Sequence, residues 1–164
     1  MSSPDNILQN LARCMVQGRK GCEAKAEEIL RNIASPDEIS WNTVISGYAN
    51  SGSKQALVKS WHLLKEMEES ASPPSAVSYN LVMDALARKG TVENAQKVEQ
   101  LLEKMETLCA SGKESVKPNG LSYNIALNAW AKPGSPNSGE KAPLILKRKR
   151  MADNTILEVE HIFR

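Results

Sequence analysis

Three short stretches share one pattern, and that recurrence limits the fold more than any other feature of the chain. They are Trp41-Asn42-Thr43-Val44-Ile45, Tyr79-Asn80-Leu81-Val82-Met83 and Tyr123-Asn124-Ile125-Ala126-Leu127. In each, an aromatic residue is followed by Asn, and ten residues after the Asn stands a glycine: Gly52, Gly90 and Gly134. Fifteen residues beyond the first two glycines comes a methionine, Met67 and then Met105. A chain that repeats itself at this period builds its fold by stacking copies of one small unit, none of which can bury its apolar face alone.

The spacing within the unit predicts a helical hairpin. Trp41, Val44, Ile45 and Tyr48 stand at i, i+3, i+4 and i+7, which is one face of a helix. Tyr79, Val82, Met83 and Leu86 repeat those offsets, as do Tyr123, Ala126, Leu127 and Trp130. Small residues recur between them (Gly47, Ala85, Ala129, then Ala49, Ala87, Ala131), where a neighbouring helix can approach closely. The glycine then ends this first helix. A second helix follows, with Leu63-Leu64 before Met67 and Leu101-Leu102 before Met105, and with Ser60 and Val98 in register.

The glycine register extends the pattern both ways. Upstream, Gly18 places Ile29-Leu30 on the leucine pair, Ala26 on Ser60 and Ile33 on the methionine; Ile7 then falls on the aromatic position, Leu8 on the Asn, and Leu11 and Cys14 on the apolar face. Downstream, Gly134 places Ile145-Leu146 on the leucine pair and Ala142 on Ser60, whereas Lys149 replaces the methionine and Pro143 sits early in the second helix. Glycine to glycine the spacings are 34, 38 and 44, and the variation lies in the Pro-, Ser- and Gly-rich connectors Ala34–Asp37, Ala71–Ser75 and Cys109–Asn119. Such connectors are expected on the surface.

The expected fold is therefore all-α: an α-solenoid of about four stacked helix-turn-helix hairpins over residues 5–153. The units run over about 5–37 (degenerate), 38–75, 76–119 and 120–153. Residues 154–164 carry Ile156, Leu157, Val159, Ile162 and Phe163. They suit a short helix capping the stack, the start of an unfinished repeat, or a dimer contact at an exposed solenoid end. Aromatic residues are only 4% of the chain, so its core must be aliphatic, which suits packed helices better than a β-sandwich.

Other classes are excluded by what the chain lacks. His62 and His161 are far apart, and neither belongs to a nucleophile motif; there is no HExxH, no Gly-rich phosphate loop and no Cys/His cluster. Glu66, Glu68 and Glu69 read as helix-surface charges. No enzymatic activity, metal or cofactor is expected. Cys14, Cys22 and Cys109 form no CxxC and read as reduced thiols, not as a disulfide framework or a zinc site. No apolar run approaches the ~18 residues of a membrane span. Residues 1–20 hold Asp5 against Arg13, Arg19 and Lys20, which superficially resembles a transit peptide. The same residues fit the repeat, so a targeting signal is expected to lie outside this chain.

Two polar features remain. An Asn in the same register of successive helices would form a ladder of carboxamides, whose donors and acceptors match a base edge. Held individually, each Asn could instead cap or bridge local backbone. A net charge of +2 neither implies nor excludes nucleic acid. Lys54, Arg88, Lys89, Lys97, Lys104, Lys113 and Lys117 are available to meet phosphates, diluted by Glu93, Glu99, Glu103 and Glu106. The dense run Lys147-Arg148-Lys149-Arg150 reads first as a solvated helix face, then as a phosphate grip or nuclear signal.

Taken together, the segments Pro36-Asp37-Glu38-Ile39-Ser40-Trp41-Asn42, Pro74-Ser75-Ala76-Val77-Ser78-Tyr79-Asn80 and Pro118-Asn119-Gly120-Leu121-Ser122-Tyr123-Asn124, with the glycine and Leu-Leu-x-x-Met that follow, resemble the pentatricopeptide repeat. The tetratricopeptide repeat would place a Trp and a Leu-Gly pair inside the first helix and a Pro at the end of the second, and none of these recurs here in register. The resemblance implies a right-handed superhelix that binds single-stranded RNA at one base per repeat, in organellar RNA processing, stability or translation, in a mitochondrion or plastid. By the same resemblance, Asn42, Asn80 and Asn124 match the base-contacting position. Ser75 and Asn119 match its partner from the end of the repeat, and Ile39, Val77 and Leu121 match the positions that sandwich successive bases. Asn with Ser or Asn implies a preference for pyrimidines. The first unit, pairing Leu8 with Asp37, should read nothing well; for Asn124 the partner is Asp153 or Asn154. The alternative is a protein-interaction scaffold that keeps the fold without reading RNA.

Overall fold

The computed structural model describes residues 21–131 and 138–162, with isolated positions 10, 13, 14 and 17. Ile7, Leu8, Leu11, Gly18 and Gly134, assigned above from register, lie outside the described residues. Among the described residues there are seven α-helices. They are α1 (Cys22–Asn32), α2 (Glu38–Asn50), α3 (Lys54–Glu69), α4 (Ala76–Lys89), α5 (Val92–Ala110), α6 (Gly120–Trp130) and α7 (Ser138–Ile162). One 3-10 turn, Glu114–Val116, lies between α5 and α6. Thus α1 is the second helix of the first unit, and α2–α3, α4–α5 and α6–α7 are the following hairpins: an all-α solenoid.

Helix starts are set by a cap that recurs with the repeat. Asp37, Ser75 and Asn119, each directly after a proline, are the N-caps of α2, α4 and α6. Each is in extended backbone, and its side chain accepts from a backbone N–H of the first turn. Three residues on stands a serine, Ser40, Ser78 or Ser122, and all three are buried. Ser78 Oγ and Ser122 Oγ accept from the backbone N–H of Ser75 and Asn119, completing capping boxes. Ser53 and Thr91 cap α3 and α5 in the same way. Gly90 closes α4 in the left-handed region at φ 65°, which a side chain would disfavour.

The apolar stripes read from the sequence form one continuous core. Trp41, Val44, Ile45, Tyr48, Tyr79, Val82, Met83, Leu86, Tyr123, Ala126 and Trp130 are buried, as are the leucine pairs and methionines of α3 and α5. Burying each such side chain contributes roughly 1.5–3 kcal/mol. In the fourth unit Ile145 is buried, whereas Leu144, Leu146 and Met151 remain exposed.

The stack has two unequal layers. Each first helix packs on its own second helix, on the second helix before it, and on the next first helix, so that α2, α4 and α6 form a continuous layer. The second helices α3 and α5 make no backbone-level contact with each other. Ion pairs reach across that outer layer instead. Two findings differ from the expectation. The connector after α5 is not wholly a surface loop: Val116 of its 3-10 turn is buried among the core residues. In addition, α7 runs unbroken to Ile162, through the boundary expected near residue 153. Pro143 is accommodated inside it, beyond the first turn.

Candidate nucleic-acid interface

The three sequence-defined Asn residues sit in the second turn of α2, α4 and α6, five residues after the N-cap. They are therefore not the caps, a duty that falls to Asp37, Ser75 and Asn119. Ile39, Val77 and Leu121 precede the Asn residues by three positions, which places each pair on one helix face. These three apolar side chains are 64%, 58% and 58% exposed, in a chain whose other first-helix hydrophobics are largely buried. The sequence had put them forward only through the family resemblance; exposed apolar residues in identical register are what the structure adds.

The Asn side chains themselves are graded. Asn80 is only 6% exposed and Asn42 is half-buried, whereas Asn124 is exposed. Asn42 and Asn80 lie on first helices that another first helix follows; α6, which carries Asn124, has no such successor among the described residues. Asn42 Oδ1 and Asn80 Oδ1 are buried without a hydrogen-bond partner. Buried polar atoms are nearly always paired, so two unpaired acceptors in one register single out these positions.

Of the two pairs that the resemblance implies, Asn42 and Ser75 are bridged by a third residue, Glu38. Glu38 Oε1 accepts from Asn42 Nδ2 at 3.3 Å and from Ser75 Oγ at 2.5 Å. Because the carboxylate only accepts, the Asn42 amide nitrogen faces it and the carbonyl oxygen is turned away. Sequence reasoning missed Glu38. Its counterparts are Ala76 and Gly120, so the carboxylate is absent from the next two units and no periodic signal pointed to it. Among the described residues no equivalent group bridges Asn80 and Asn119. There Asn119 Oδ1 accepts from the backbone N–H and the hydroxyl of Ser122.

The cations offered by the sequence are mostly engaged elsewhere. Arg88 donates to Asn50 Oδ1, Lys89 to the Gly52 carbonyl, Lys97 to Glu93 and Lys104 to Glu68. Within the basic run, Arg148 is only partly solvated: its Nε and Nη2 both donate to Glu106, with Nη2 at 2.6 Å from Oε2. Burial opposes its charge, and Glu106, Glu103 and Glu99 overcome that and raise its pKa further. Lys113 and Lys117 lie in the connector leading to Asn119 and flank the start of α6.

Stacked hairpins with a repeating cap, a repeating seam and a repeating polar register define a helical-repeat solenoid. Family models agree: the PPR repeat family matches residues 36–88, and the PPR repeat matches residues 77–108. Over residues 36–108, then, the chain is made of pentatricopeptide repeats. Among solved structures it is similar to the crystal structure of the pentatricopeptide repeat protein PPR10 from maize, at 20% identity and a TM-score of 0.66. That alignment covers 96% of this chain and 20% of the maize chain, so this chain spans about a fifth of that protein's length. The likeness is one of fold. A search of curated proteins finds no match.

Proposed function

We propose that this chain binds single-stranded RNA along its first-helix layer, with Asn42, Asn80 and Asn124 contacting bases and Ile39, Val77 and Leu121 packing against their faces. The observation that carries this reading is the row of exposed apolar residues, each one helical turn from an Asn in the same register. Flat apolar surface beside a carboxamide suits a base, which has a stacking face and a hydrogen-bonding edge. Ser75 and Asn119 complete two of the units. The setting, organellar RNA processing, stability or translation in a mitochondrion or plastid, follows from the family resemblance.

At the Asn42 unit the groups with hydrogen-bonding capacity left over are acceptors, namely the buried Asn42 Oδ1 and the Glu38 carboxylate, whose Oε1 already accepts from Asn42 and Ser75. This favours cytosine, whose exocyclic amine donates, over uracil, which presents a carbonyl at that place. Three units give a modest grip, since stacking contributes roughly 1–3 kcal/mol per base. The test is fluorescence anisotropy with labelled oligocytidine, oligouridine and oligoadenosine at low salt. Pyrimidines should bind more tightly than oligoadenosine, and replacing Asn42, Asn80 and Asn124 with Ala should weaken binding about tenfold or more. Absent binding, or binding that ignores the triple replacement, would sink the reading. A protein-interaction scaffold would then stand, a reading favoured by the burial of Asn80 and the engagement of Lys89, Lys97 and Lys104 within the stack.

A further inference from the structure

The outer layer contains a repeated closure that fails at one seam. Lys59 Nζ, seven residues after its glycine, pairs with Glu27, nine residues after the preceding glycine, at 3.1 Å. The same two registers meet at the last seam, where Lys141 Nζ pairs with Glu99 at 3.0 Å. At the seam between α3 and α5 the lysine is present as Lys97, but the register of the acid holds Trp61. Lys97 falls back on Glu93, one turn away in its own helix, at 2.7 Å. Without the crossing pair, a cleft of about 520 Å³ lies between α3 and α5.

The cleft has a definite chemistry. Leu57, Val58, Trp61 and Leu86 supply an apolar floor. Val58 is 49% exposed and Trp61 is half-buried, so apolar surface faces solvent here beside charged side chains. Three lysines, Lys54, Lys89 and Lys97, line it against one carboxylate, Glu93. The cleft lies at the hairpin-turn end of the stack. Along α4, Leu86 and Lys89 are six and nine residues beyond Asn80, so about 9–14 Å of helix separates them from the candidate RNA-binding register.

We propose that this cleft docks a segment of a partner protein that combines an aliphatic anchor with a glutamate or aspartate. The anchor would enter between Val58, Trp61 and Leu86. The acid would pair with Lys97 and so supply the carboxylate that Glu27 and Glu99 supply at the neighbouring seams. An excess of lysines at the rim selects an anionic partner and steers its approach. The aliphatic floor selects a protein side chain over a phosphate backbone. This site is independent of the RNA reading and stands or falls separately.

The test uses the whole ¹⁵N-labelled chain and the acetylated peptide Ala-Glu-Leu-Leu-Glu-Ala-Leu-Glu, followed by two-dimensional NMR. The Val58 amide and Trp61 indole peaks should move saturably, and the same peptide with Gln for Glu, or Ala for Leu, should bind at least about tenfold more weakly. Lys97→Glu should weaken binding by a similar factor. Trp61→Glu should rebuild the missing closure with Lys97, abolish peptide binding at the Val58 and Lys97 amides, and leave thermal unfolding as cooperative as before. No saturable shift up to about 1 mM peptide, equal binding of the Glu and Gln peptides, or wild-type binding by the folded Trp61→Glu variant would each overturn the proposal. So would movement of the same peaks with oligocytidine and not with peptide, which would assign the cleft to nucleic acid.

Discussion

The seam between the third and fourth units and the seam between the first and second use the same positions to different ends. In the later seam Tyr123 donates its hydroxyl to Glu106 Oε1 at 3.0 Å, and Arg148 clamps the same carboxylate. The middle seam repeats this with Tyr79, Glu68 and Lys104. In the early seam the glutamate position is Ala34, the tyrosine position is Trp41, and the indole Nε1 is buried without a partner. Where the later seams carry Lys104 or Arg148, the early one carries Glu66, which pairs with Arg31 of α1 at 3.3 Å. Charge has been exchanged across the early seam and a hydroxyl–carboxylate bond lost. The apolar residues behind it are unchanged in kind. Packing positions therefore hold the repeat together, while polar seam positions vary as coupled sets.

This comparison can be broken or sharpened by mutation. The largest effect is expected in the shared core. Met67 and Met105 occupy one register and are both fully buried, so Met67→Ala and Met105→Ala should each cost about 2–5 kcal/mol. Urea unfolding followed by circular dichroism reads this; a small cost for Met67→Ala alone would show that the seams do not share a core. Next comes Glu106→Gln, which keeps an acceptor for Tyr123 but removes the charge from Arg148. Since both partners of the ion pair are partly solvated, about 1–2 kcal/mol is expected, less in high salt.

Importing the later seam into the early one is a subtler test. In a double-mutant cycle, Ala34→Glu with Trp41→Tyr should show favourable coupling of about 1 kcal/mol, because each change supplies the partner the other needs. Additive effects would mean that the tyrosine and glutamate are not a coupled set. The smallest effect concerns pH. Burial would raise the Glu27 pKa, but bonds from Arg31, Lys59 and Tyr48 overcome that and hold it below its ordinary 4.5. A carboxylate depressed on folding stabilises the fold above its unfolded pKa, and that stability is lost as pH falls through the folded value. Acid destabilisation below about pH 4.5 should therefore be shallower in Glu27→Gln, measured by melting temperature against pH. An unchanged slope would show that these bonds add no pH-dependent stability.

Much of the fold was legible because helical period, glycine stops and proline-led connectors are local signals that the repeat states several times over. Leu64 and Leu102, or Tyr79 and Tyr123, could be placed by comparison within the chain itself. The site was legible less evenly. Asn42, Asn80 and Asn124 were visible as a register, and Ile39, Val77 and Leu121 came forward through resemblance. Glu38 was not visible, because it occurs once and acts on Ser75, a residue 37 positions away. The burial of Asn80 was not visible either, since it depends on how closely successive first helices approach. Arg148 illustrates the same limit: a basic run looks solvated until the glutamates of the preceding helix are brought against it.

By itself, then, the sequence determined the unit, its helices and its apolar stripes, because backbone propensity and side-chain periodicity operate within a few residues. The tertiary structure decided what neighbouring units do for one another. It gave Tyr79 and Tyr123 their carboxylates, left Trp41 without one and opened the cleft beside Trp61. Those outcomes rest on groups of different helices, 11 to 42 residues apart, meeting across a seam. Hydrogen bonds and ion pairs act only over a few ångströms, so their partners are fixed when the stack closes.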